Sequence, residues 1–347
     1  MSTITASDYR PPRWLHSPHL QSVLSSSALR RTRGARRFAA TGAVTDEHWL
    51  HTPEGVRLQG FHSRPAAGDD GSLAILLHGW EGSANSSYVL NAAASLLEAG
   101  CAVFRLNFRD HGDTHHANEG IFHSCRLREV IEAALLVQAR FRPRRLVAAG
   151  FSLGGNFALR LARSAPEAGL DLAHAAAVCP VIDPAAGMAA LERAPGFYEW
   201  YFMRKWRASL RRKRELFPQA HGYDDSALQR GMRELTAWLV GRHGEFDSLE
   251  AYFRGYALAG DGLADVRVPI SILTAADDPV IPVAAFHHLR LPAHGYLEIA
   301  EHGGHCAFIE NAALTGYGER WVCRRLLAPE AHGAAATMTD SVAVSSP

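Results

Sequence analysis

The sequence predicts an α/β fold, with a mostly parallel central sheet flanked by helices and interrupted by a helical cap insertion. Three observations carry this prediction. Between residues 73 and 178, apolar runs of strand length alternate with helical patterns, as in linked β-α-β units. The runs are apolar throughout rather than at every second position, as expected of strands covered on both faces. The alternation stops over 184–258 and then resumes, so a helical segment interrupts one α/β domain.

Residues 1–46 are expected to wrap the domain rather than found its core, since the stretch to about Arg37 is rich in Arg, Ser and Pro. Residues 47–51 and 56–61 flank the turn signal Pro53-Glu54-Gly55 and read as a hairpin at a sheet edge. Residues 73–77 form the first buried strand. A helix over 88–99 closes at Gly100, a residue suited to end it. The spacing then predicts a strand at 102–106, a helix at 129–140, a strand at 145–149, a helix at 153–163 and a strand at 175–178. These complete the first part of the core, 47–183. The cap spans 184–258. The second part, 259–327, holds strands at 270–274 and 296–300, with helices near 283–289 and 310–327. The Ala/Ser/Thr-rich tail, 328–347, lacks apolar periodicity and is expected to be disordered.

Composition narrows the function classes. The chain has 347 residues, is 47% hydrophobic and 20% charged, and carries a formal net charge of +1. That balance suits an ordinary globular protein and calls for no nucleic-acid partner. The five cysteines form no CxxC pair, which favours reduced thiols and a cytoplasmic protein. Residues 1–12 lack the apolar stretch of a signal peptide. The apolar runs fall far short of the roughly 20 residues of a spanning helix.

The chemistry is concentrated in three loops. Gly150-Phe151-Ser152-Leu153-Gly154 sits where an apolar strand meets a helical pattern. That is the context of a nucleophile elbow, in which small neighbours permit a sharp turn under an exposed serine. Serine is a weak nucleophile and needs a base and an orienting acid, which in the α/β-hydrolase fold follow it in the order Asp, then His. Ala275-Ala276-Asp277-Asp278-Pro279-Val280-Ile281-Pro282 follows a late strand and offers two acids. Asp278 is the favoured one, with Asp277 as the alternative that otherwise braces the loop. Glu301-His302-Gly303-Gly304-His305 follows the last strand, and the glycine pair favours His305 over His302 as base. His78-Gly79-Trp80-Glu81-Gly82 follows the first buried strand and suits an oxyanion loop. Its donor is expected to be the Trp80 N–H, with the Leu153 N–H as the second.

Two other features have quieter readings. His111, His115, His116 and His123 share a loop with Asp110 and Asp113, but their spacing fits no standard zinc pattern. A structured loop near the site mouth is preferred, with no metal and no cofactor. Residues 198–217 interleave Trp200, Tyr201, Phe202 and Trp206 with basic residues. A lid helix over an acyl pocket is the first reading, and peripheral membrane contact through the cap is the second.

These motifs together resemble the YheT-like, abhydrolase-domain (embryogenesis-associated) family of the α/β-hydrolase superfamily, over about residues 14–320. The signposts are Pro18-His19-Leu20-Gln21-Ser22, His78-Gly79-Trp80-Glu81-Gly82-Ser83, and Asn107-Phe108-Arg109-Asp110-His111-Gly112-Asp113-Thr114. Gly150-Phe151-Ser152-Leu153-Gly154-Gly155-Asn156, Asp277-Asp278-Pro279 and Gly303-Gly304-His305-Cys306-Ala307-Phe308 complete them. The resemblance implies the same triad, Ser152, Asp278 and His305, and carboxylesterase, phospholipase or acyltransferase chemistry on short- to medium-chain acyl groups. The chain departs from relatives at Arg109-Asp110-His111-Gly112 and at Thr52-Pro53-Glu54-Gly55. The expectation is therefore a serine hydrolase of small or lipid-like carboxylic esters. An acyltransferase and a non-enzymatic binding protein on the same fold are the alternatives.

Overall fold

The computed structural model describes residues 3–243 and 245–328. Its strands are β1 (Thr3–Ala6), β2 (Val44–His51), β3 (Arg57–Arg64), β4 (Ser72–Leu77), β5 (Ala102–Leu106), β6 (Arg145–Phe151), β7 (Leu172–Val178), β8 (Ile270–Ala275) and β9 (Gly295–Ala300). They form one sheet in the order β1-β9-β8-β7-β6-β4-β5-β3-β2. The hairpin β2–β3 is antiparallel at one edge, and β3 meets β5 antiparallel. From β5 through to β1 every pairing is parallel.

The helices are α1 (Pro18–Ser25), α2 (Ala28–Ala40), α3 (Ser87–Glu98), α4 (Leu127–Phe141), α5 (Leu153–Ala168), α6 (Pro184–Arg193), α7 (Phe197–Leu216), α8 (Met232–His243), α9 (Leu249–Arg254), α10 (Ala284–His287) and α11 (Tyr317–Leu327). The unbroken apolar strands now have a cause. In β4, Leu73, Ile75 and Leu77 face a core shared with α4 and α5, while Ala74 and Leu76 face a second core shared with α3 and α11. Successive side chains of a strand point to opposite faces, and here both faces are covered.

The N-terminal segment does more than wrap. β1 pairs parallel with β9 and extends the sheet at its far edge, a role four residues are too few to advertise by periodicity. Its helix α2 is tied to α11 by a buried ion pair, Arg30 Nη2 to Glu319 Oε1 at 2.6 Å. The last helix starts at Tyr317 rather than near 310. Asn311 Oδ1 accepts from the Ala313 N–H, Leu314 takes a left-handed backbone, and Ile309 bridges to Gly316, so residues 309–316 close as a turn. The helix expected near 283–289 is the single turn α10. Apart from Ala328, the expected disordered tail lies outside the described residues.

Between β7 and β8 the described chain forms α6 to α9 and a short 3-10 turn without a strand. No helix among the described residues is long and apolar enough to cross a membrane.

Candidate active site

Ser152 stands at the end of β6, where the chain turns directly into α5. Its backbone, at φ 53° and ψ −120°, lies where side-chain-bearing residues are rarely found. The turn is held by its N–H, which donates to Val178 O at 2.9 Å. The flanking glycines are required by space. A Cβ on Gly150 would lie 2.0 Å from Gly154 O, and one on Gly154 would lie 2.3 Å from both Leu77 O and His78 O. Backbone cannot retreat as a flexible side chain can. Gly154→Ala is therefore expected to cost about 3 kcal/mol of stability, read as a lower urea midpoint. An unchanged midpoint would show that the elbow is not this tightly packed.

The acid loop follows β8. Asp278 Oδ1 accepts from the Val280 N–H at 2.8 Å and the Ile281 N–H at 3.0 Å. Its Oδ2 faces His305 Nδ1 at 2.9 Å. The base loop follows β9, and His305 Nε2 lies 2.9 Å from Ser152 Oγ. Asp277 turns the other way and accepts from the Gly304 N–H at 2.9 Å. His302 stacks on His16 with ring centroids 4.1 Å apart. The structure thus brings together Ser152, Asp278 and His305, while Asp277 and His302 hold the loops around them. Burial disfavours the charged form of His305, but the Asp278 carboxylate and the neighbouring Cys306 together outweigh it, and the imidazole pKa is raised to about 9.

The support for His305 that the sequence reading missed comes from α1. Ser22 Oγ accepts from the His305 N–H at 2.9 Å. Gln21 Oε1 accepts from the Ile309 N–H at 2.8 Å. Gly304, at φ 54°, passes so close to α1 that a Cβ would lie 2.6 Å from Pro18 O. The signal was present in Pro18-His19-Leu20-Gln21-Ser22, but nothing local says that these residues face a loop 280 positions away.

The loop after β4 approaches the elbow from the other side. The Gly79 N–H donates to Tyr88 Oη, the Glu81 N–H to His111 Nε2, and the Gly82 N–H to Gly79 O. That leaves the Trp80 N–H without an acceptor among the described residues. Leu153 is the first residue of α5, where backbone N–H groups lack intrahelical partners. Two neutral histidines fix this loop. Burial lowers the pKa of His78 far below its usual value and that of His111 to about 4. Each then carries one ring proton, so that His78 Nε2 accepts from the Phe108 N–H while Nδ1 donates to Gly79 O. His111 likewise donates through Nδ1 to Arg109 O.

Two histidines of the histidine-rich loop bond residues of the insertion, and a third packs on β2. His115 Nε2 meets Ser209 Oγ at 2.8 Å, His116 lies edge-on to Trp49, and His123 Nε2 meets Glu245 at 2.7 Å. Asp110 pairs with Lys213 of α7 at 2.7 Å, and Arg109 pairs with Glu129 at 2.7 Å. Cys179, His305 and Cys306 are the one group of three with ligand atoms within 4.8 Å among the described residues. Both ring nitrogens of that histidine already face Ser152 and Asp278.

Ser152 opens onto two spaces. One is an apolar cleft beneath α6 to α9, with Met188, Leu191, Phe202, Leu239, Phe253 and Ile281 in its wall. Phe202 stacks on Trp80 at 5.5 Å. The other is a more polar vestibule that includes Glu81, Lys205, Ser209 and His305. There burial pushes the Glu81 carboxyl up to about 7, against the pull of Lys205.

Comparison with known proteins agrees with this architecture. A family model described as "Alpha/beta hydrolase family" matches residues 74–315. The chain is 26% identical to "Putative esterase YheT" of Escherichia coli (strain K12), over 93% of this chain and 92% of that one. It is 25% identical to protein abhd-3.2 of Caenorhabditis elegans, over 88% and 80%. Among solved structures, esterase Est22 superposes with a TM-score of 0.57 at 16% identity, covering 90% of this chain and 92% of that one. The Pyrococcus furiosus esterase Pf2001 gives 0.55 at 15% identity, covering 83% and 91%. The last two show a shared fold.

Proposed function

The chain belongs to the alpha/beta hydrolase family, and from that premise we propose that it is a serine esterase cleaving carboxylic esters with short- to medium-chain or lipid-like acyl groups. The observation that carries this reading is His305 held between Ser152 Oγ and Asp278 Oδ2, at 2.9 Å from each. Those distances lie within proton-transfer reach.

In the reaction, His305 Nε2 takes the proton of Ser152 as Oγ bonds to the acyl carbon. The Trp80 and Leu153 N–H groups receive the oxyanion, with donors fixed before charge develops. As the tetrahedral intermediate collapses, the ester C–O bond breaks and His305 returns the proton to the departing alcohol. Water then adds to the acyl-enzyme, giving its proton to His305. The acid leaves and Ser152 recovers its hydrogen. Asp278 keeps the imidazole proton on Nδ1 and steadies the imidazolium. No step requires a metal or cofactor. The apolar cleft suits the acyl chain and the polar vestibule suits the alcohol.

The test is labelling by a fluorophosphonate probe together with a nitrophenyl ester series from acetate to palmitate. One labelled peptide containing Ser152 is expected, with turnover highest at an intermediate acyl length set by the walls of the cleft. A purified, folded chain that takes no label would make the proposal untenable.

A further inference from the structure

Nine large apolar side chains are exposed among the described residues, and six of them fall in two short stretches: Trp14, Leu20, Val23 and Leu29 in and around α1, and Phe197 and Trp200 at the start of α7. Scattered apolar side chains are ordinary, but a contiguous group marks a contact surface. These two stretches meet. His19 of α1 hydrogen-bonds Tyr198 Oη at 3.0 Å, and its ring lies 6.1 Å from that of Phe197. Leu20 and Val23 are three residues apart, as are Phe197 and Trp200, so each pair shares one helix face. Trp200 is 63% exposed although nothing in the mechanism uses it.

The charge on the α1 side of this group has one sign, while on the α7 side Glu199 lies between Phe197 and Trp200 and accepts from the Met232 N–H at 3.1 Å. Residues 9–45 contain seven arginines and no Asp or Glu. Arg30 and Arg37 are spent on ion pairs with Glu319 and Glu98, while Arg13, Arg31, Arg33 and Arg36 are exposed. On the α7 side Arg204 is exposed and lies over the Trp200 ring. The vestibule opens between these elements, with Ser25, Ser26 and Arg31 on one side and Tyr201, Lys205 and Arg212 on the other.

We propose that this face docks onto a bilayer surface carrying anionic headgroups, so that the vestibule opens toward the lipid. Exposed apolar and aromatic side chains bordered by arginine are the chemistry of a protein that lies on a membrane. The arginines are drawn to anionic headgroups within a Debye length. The same charge disfavours a second copy of this face as the occupant, because like-charged rims repel. Docking rests on the surface alone. Only the delivery of substrate to Ser152 rests on the esterase reading.

The test uses the full chain in co-sedimentation with vesicles of equal parts phosphatidylcholine and phosphatidylglycerol, and with phosphatidylcholine alone. The protein and its Ser152→Ala variant are expected to partition equally onto the anionic vesicles, less onto the neutral ones, and less as salt rises. The double variant Val23→Ser, Trp200→Ser is expected to lose at least about tenfold in partitioning, the equivalent of one buried apolar side chain. It should hydrolyse a soluble short-chain ester as before. Absence of anionic-vesicle binding, or binding unchanged in the double variant, would overturn the proposal. So would a dimer in light scattering that this variant abolishes, which would assign the face to a second copy. Vesicle binding without ester hydrolysis would reject the catalytic reading and leave docking standing.

Discussion

Replacing Ser152 with Ala is expected to lower kcat for a soluble nitrophenyl ester by about 10⁵-fold or more, leaving the folded state intact. The substitution removes one oxygen, the atom facing His305 Nε2 at 2.9 Å. Alanine meets the same left-handed backbone strain as serine, and the N–H to Val178 O bond at 2.9 Å survives. Stability should therefore change little while chemistry collapses. The residual rate reflects oxyanion donors and binding alone, so a Ser152→Ala, His305→Ala double variant should fall no further than either single one. Additive losses would mean that the two side chains do not act as a unit. Retention of near-normal kcat by the single variant would remove Ser152 from the mechanism.

Replacing Asp278 with Asn is the second large effect, about 10⁴-fold in kcat, and it separates two adjacent acids. The carbonyl of an introduced Asn can keep the two bonds now made by Oδ1 to the Val280 and Ile281 N–H groups. Its NH₂ then faces His305 Nδ1. That nitrogen must become an acceptor, the ring proton moves to Nε2, and Nε2 can no longer take the serine proton. Asp277→Asn keeps an acceptor for the Gly304 N–H, so its kcat should fall less than about tenfold, the scale of a lost neutral hydrogen bond. Equal losses in both variants would reopen the choice between them.

The pH profile checks the same contact. In the proposed mechanism His305 acts as base only when neutral, and its pKa is raised to about 9 because the Asp278 carboxylate and Cys306 together outweigh burial. In the parent protein kcat/KM should rise with pH toward that midpoint and fall away below it. In Asp278→Asn the carboxylate is gone while burial, which lowers the pKa, remains. The midpoint of the residual activity should therefore move to lower pH. A midpoint that stays put would mean that Asp278 does not set the charge on His305.

Much of this was legible because it is local. The elbow glycines are demanded by backbone contacts between neighbours in one turn, and a parallel strand shows itself as an unbroken apolar run since both of its faces are covered. The chain order of Ser152, Asp278 and His305 follows from their places after β6, β8 and β9. Other parts left no local trace. β1 is a four-residue pairing at a sheet edge, and 310–316, expected as helix, closes as a turn at Asn311.

The amino-acid pattern alone carries the fold class and places Ser152, Asp278 and His305 in loops that follow strands, because strand and turn chemistry act over a few positions. The way distant segments share one site comes from the folded chain alone: Ser22 against His305, Lys213 against Asp110, and the pairing of α1 with α7 around the vestibule. Such contacts depend on which surfaces meet once the sheet has closed and the insertion has packed against it. A hydrogen bond between residues 22 and 305 leaves no periodicity or spacing in either stretch.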